Sequence, residues 1–67
     1  MIYTDMESLV AAIANLNLDD KPSVERYRKL IKVYWDAYHN PPEGVIGVGC
    51  ITYAEEALID AQLNDPE

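Results

Sequence analysis

Glu56 and Asp60 stand four residues apart, a spacing that sets two carboxylates on one helix face and could offer oxygens to a metal ion. His39 and Cys50 are the only softer ligands in the chain. No Glu-x-x-His and no Cys-x-x-Cys pair accompanies them, so the plainer reading is two exposed acids and a helix-end histidine. Cys50 and His39 are also the only Cys–His combination that nucleophilic chemistry could use, and no activating motif surrounds either. Ser8 and Ser23 have no histidine signal nearby. Cys50, inside an apolar run, reads as an inert thiol. Gly44-x-x-Gly47-x-Gly49 leads into a helix start and superficially suits an anion. Its order is not the dinucleotide fingerprint and no Gly-Lys-Ser/Thr follows. Glu55 and Glu56 in the next turn would repel an anion. These residues predict no enzyme, no cofactor and no metal centre.

Binding is the chemistry that the remaining residues suggest. Tyr27, Tyr34, Trp35 and Tyr38, four of six aromatics, fall in one segment, and the chain has no Phe. Every aromatic therefore carries a polar handle, which suits positions half in a core and half at a surface. Tyr and Trp are also enriched at protein interfaces. The competing reading is that they only fill the core of a small helical fold.

Charge is laid out in blocks. The net charge is −7, from 12 acids and 5 bases. Lys21, Arg26, Arg28, Lys29 and Lys32 all lie in residues 21–32, which carry +4, against −4 before and −7 after. The overall sign argues against duplex nucleic acid and an anionic membrane as direct ligands, since phosphate contacts need a basic footprint. Arg26 points away from the other bases, towards Val33 and Ala37, as a candidate ion-pair partner for another helix or a second subunit. The other four suggest a solvated face or a patch for an acidic partner, with Glu25–Lys29 and Lys32–Asp36 as expected i,i+4 pairs. The carboxylates could steer the protein to a basic site or imitate a phosphate backbone; ordinary solubility charge is the plainer account.

The elements that must position these groups are helices. Thr4-Asp5-Met6-Glu7 has capping-box spacing, and Met6, Leu9, Ile13 and Leu16 continue as one stripe. A first helix is predicted at about 5–17. Pro22 suits the first turn of a second helix, over about 22–39, stopped by Asn40-Pro41-Pro42. Val24, Tyr27, Ile31, Tyr34 and Tyr38 form its stripe, widened by neighbours to about half the circumference, more than one adjacent helix needs. Residues 43–51 carry three glycines, each disfavouring helix by about 1 kcal/mol relative to alanine, and are read as a buried turn or a loosely helical lead-in. Thr52-Tyr53-Ala54-Glu55 repeats the capping spacing and predicts a third helix at about 53–63. Its Ala54, Ala57, Leu58 and Ala61 make a face of small residues, with Ile59 and Leu63 elsewhere; Asn64 to Glu67 reads as a frayed tail.

The prediction is a single all-α domain over residues 1–67, with three helices and the aromatic-rich second helix central. The expected core is Leu9, Ile13, Leu16, Val24, Tyr27, Ile31, Tyr34, Tyr38 and Leu58. A domain of 67 residues buries only about 60% of its unfolded surface and usually needs a staple or partner. One cysteine cannot close an intrachain disulfide. A homodimer and a reducing, cytoplasmic setting are therefore expected, with no leader or membrane span. The expected function is a small acidic accessory or inhibitor that occupies a partner's surface. Tyr34, Trp35 and Tyr38 would be anchors, Arg26 an ion-pair partner, and Glu55, Glu56 and Asp60 the acidic contact. Short acidic chains of this type are ones that phages and mobile elements encode. The alternative is a self-assembling structural subunit, pairing basic window to acidic flank.

Overall fold

The computed structural model describes residues 2–16 and 19–64, which hold three helices and no strand. They are α1 (Met6–Ala14), α2 (Lys21–His39) and α3 (Val48–Leu63). The all-α prediction holds at this level. Among the described residues no helix is long and apolar enough to cross a membrane.

The first cap falls one residue later than the Thr4 capping box. Asp5 is extended (φ −151°) and its carboxylate accepts the Ser8 amide at 2.7 Å. An aspartate binds the orphan amides of a helix start better than a threonine does, so it takes the role. These Ser8 hydrogen bonds, amide first and hydroxyl second, hold the Asp5 carboxyl below its ordinary value. In α2, Asp20 precedes the first turn, Pro22 occupies it, and the Ser23 hydroxyl donates to the Asp20 carboxylate at 2.9 Å.

All three helices stop in the same way. Asn15, Asn40 and Asn64 follow their last residues, and each side-chain amide donates to the carbonyl four residues back: Ala11 (2.9 Å), Asp36 (3.2 Å) and Asp60 (3.0 Å). The backbone N–H of each asparagine donates to the same carbonyl, so the side-chain amide adds a second hydrogen bond at the helix end, where further amide donors run out. The first helix accordingly ends at Ala14; of the rest of its predicted range, Asn17 lies outside the described residues.

α3 starts five residues before the predicted position. Glycine is costly inside a helix, but of the three only Gly49 is inside, in the first turn. Gly44 and Gly47 sit before it with φ of +93° and +60°, a backbone region that L side chains rarely adopt. The first turn closes with Gly49 N–H to Ile46 O and Cys50 N–H to Gly47 O, both 3.1 Å. Thr52 is thus no cap. Its hydroxyl bonds back to Val48 O at 3.4 Å, inside the helix. The helical lead-in is found, but the stretch is not buried: Ile46 is 81% exposed.

α2 packs along α3, and α1 lies against α2. Tyr3 touches both long helices at one end. Its hydroxyl meets that of Tyr27, early in α2, at 3.1 Å, and its backbone binds Gln62, late in α3. The two helices therefore run antiparallel. The buried core is Leu9, Leu30, Tyr34, Ala54 and Leu58, with Ile13, Tyr27 and Ile31 half-buried against it. Leu16 and Val24 are only half-buried, and Tyr38 is exposed, which removes it from the expected core. Leu30 and Ala54 are in the buried core instead.

Gln62 is the buried polar residue that the sequence reading missed. Its Oε1 accepts the Tyr3 amide at 2.8 Å, and its Nε2 donates to Tyr3 O at 2.7 Å and Leu58 O at 3.1 Å. One side-chain amide thus satisfies both backbone groups of Tyr3, and its own groups find partners away from water. The spacing Ala54, Leu58, Gln62, four by four, is the signal that could have placed it in the core.

Candidate functional site

The far end of the α2–α3 hairpin is built differently. Trp35 and Tyr38 share the last turns of α2, and their rings stack with centroids 6.3 Å apart and planes 17° apart. His39 meets both edge-on, at 4.7 Å from Trp35 and 5.2 Å from Tyr38. Spacings of three and four residues bring these rings onto one side of a helix. The result is a packed aromatic surface on the outside of the protein. Trp35 is 54% exposed and Tyr38 is 38% exposed.

Further apolar side chains sit at this end. The chain leaves α2 at His39, turns through residues 40–47, and enters α3 with Ile46, Val48 and Ile51 exposed. Val45 is turned inward enough that a Cβ on Gly49 would touch its side chain at 3.5 Å. Its carbonyl accepts the Cys50 thiol at 3.7 Å. Residues 35–51 supply five of the eight large apolar side chains exposed among the described residues, so the surplus apolar surface is concentrated rather than scattered.

The other predicted site residues separate into distinct places. Tyr34, read both as core and as anchor, is buried. Burial, then the charge of Glu55, then Tyr38 and Asp5 hold its phenol above its ordinary value. Glu55 is half-buried and acts on Tyr34, while Glu56 and Asp60 are exposed and line a shallow open depression with Tyr53 and Ala57. The three acids are thus not one surface. Arg26 is half-buried, apart from the exposed Lys21, Arg28, Lys29 and Lys32. No ion pair joins Glu25 to Lys29 or Lys32 to Asp36. Exposed pairs of this kind gain little against the freedom of two long side chains. Among the described residues, no three His, Cys, Asp or Glu side chains gather as a metal ion would need.

His39 belongs to the aromatic cluster, which the sequence reading did not anticipate; its distance of four residues from Trp35 was the available sign. No protein-family model, curated protein or solved structure matches the chain.

Proposed function

We propose that this chain is a small binding protein that occupies the surface of another polypeptide, as an accessory or inhibitor, and performs no catalysis. The observation that carries the reading is the exposed stack of Trp35 on Tyr38, braced by His39. Rings held against one another lose little further freedom on binding, and aromatic anchors dominate protein interfaces. Trp35 and Tyr38 are the anchors, and Tyr34 supports them from the core. Glu56 and Asp60 on α3, with the net charge of −7, favour encounter with a basic surface.

The test is capture from native host lysate with the wild-type chain and the Trp35→Ala/Tyr38→Ala variant, eluted along a salt gradient. One stoichiometric partner, lost by the variant while its helical circular dichroism persists, is expected. Equal capture by both proteins would sink the anchor assignment. Self-assembly is a second reading, favoured by one observation: along α2 the basic half precedes an aromatic half beyond which there is no further Lys or Arg.

A further inference from the structure

α2 carries a second seam beside its core face. Val24, Ile31 and Tyr38 recur every seven residues, and Arg28 and Trp35 fall between them. The steps alternate four and three, the spacing with which a helix presents knobs to another helix lying along it. Val24 and Ile31 are half-buried, while Arg28, Trp35 and Tyr38 are exposed. The seam runs about 21 Å along the helix, at 1.5 Å per residue.

Its charge says what can lie on it. Lys21 and Arg28 mark the first half and Lys32 lies just past its midpoint; Asp36 and Glu43 are the next charges, and no Lys or Arg follows Lys32. A parallel copy would set Lys21 and Arg28 against like charges. An antiparallel copy sets the basic half of one helix beside the aromatic and acidic half of the other. With a two-fold axis through Ile31, Val24 faces Tyr38 of the second copy, and Arg28 comes within one residue of level with its Trp35, where a guanidinium over an indole is attractive. The two helix dipoles also oppose one another. The seam is self-complementary in this one direction, which is what an isologous interface requires.

We propose that a second copy of this chain covers the seam, α2 against α2 and antiparallel, whenever no other partner holds it. This rests on the reading of the Trp35–Tyr38 face as a docking surface, and it adds regulation: self-pairing competes with partner binding.

Sedimentation equilibrium of the full chain, from micromolar to millimolar concentration, tests the pairing. A reversible dimer is expected, weakened roughly ten-fold or more by Arg28→Glu and by Trp35→Ala, with helical circular dichroism unchanged. In a Cys50→Ser background, Ile31→Cys should cross-link to itself with a short bis-maleimide and Val24→Cys should not. A monomer at all concentrations, or a dimer indifferent to both Arg28→Glu and Trp35→Ala, overturns the proposal. Self-cross-linking of Val24→Cys would make the pairing parallel and overturn it equally. A monomer that loses lysate partner capture on Trp35→Ala refutes self-pairing alone. A dimer whose Trp35→Ala form still captures that partner leaves self-pairing standing and refutes the anchor reading.

Discussion

The two ends of the α2–α3 hairpin solve the same packing problem in opposite ways. At the Tyr3 end, three segments converge and the polar groups of Tyr3 and Gln62 are paired internally. Rings there also meet across segments: Tyr3 and Tyr27 sit 5.7 Å apart at 66°. At the Trp35 end the aromatic contacts are between neighbours on one helix, and the outer faces of the rings remain in water. Contacts between segments stabilise a fold. Contacts within one helix only shape its surface. The first end is therefore read as structural and the second as available for binding.

Substitutions at the two ends should separate these roles, and the largest effect belongs to the core between them. Leu58 is fully buried. Leu58→Ala should cost about 2–5 kcal/mol, which is much of the total expected for a domain of this size, about 3–10 kcal/mol. Thermal melts followed by circular dichroism should show loss of the cooperative transition. Gln62→Ala removes three hydrogen bonds and strands the backbone of Tyr3. Urea titration should find about 1–3 kcal/mol less stability. A negligible change would erase the structural distinction between the ends.

pH should act through one group on each side of neutrality. The Asp5 carboxyl is held below its ordinary value in the fold, so its contribution is present above the unfolded value of 3.8 and is lost as pH falls through the folded one. The Tyr34 phenol is held above 10.0, so its contribution is present below that value and is lost as pH rises through the folded one. Melting temperatures measured from acid to alkaline pH should decline at both extremes. Asp5→Asn should flatten the acid side, and Tyr34→Phe the alkaline side. The smallest stability effect is expected for Trp35→Ala, under about 1 kcal/mol by urea titration, since most of that ring already faces water. A loss comparable to that of Leu58→Ala would place Trp35 in the core.

The helices were legible where the local signals agreed. In α2, a first-turn proline, a long apolar stripe and Asn40-Pro41-Pro42 all specified one helix, and its predicted limits differ by one residue at the start. In α3 the signals conflicted. Glycine composition argued against helix over 43–51, but what decides is position: Gly44 and Gly47 turn the chain, and only Gly49 bears the helical penalty. A residue count cannot tell a glycine that stops a helix from one that precedes it. Tyr34 and Tyr38 show the same limit at the site. They lie on one stripe four residues apart, yet Tyr34 is buried and Tyr38 exposed, because the burial of each is set by neighbours from α1 and α3. Gln62 was hidden for a chemical reason: its partners are the backbone groups of Tyr3, which a side-chain pattern does not display.

That amide pair joins residues 59 apart in the chain. Bringing such distant segments together has an entropic cost that grows with the span closed, so it favours formation after the helices and the α2–α3 contact have already shortened the path. The Tyr3–Gln62 contact is then expected to form late in folding. By the same logic it should open early on unfolding, and hydrogen exchange should find the Tyr3 amide less protected than the amides of the α2–α3 hairpin.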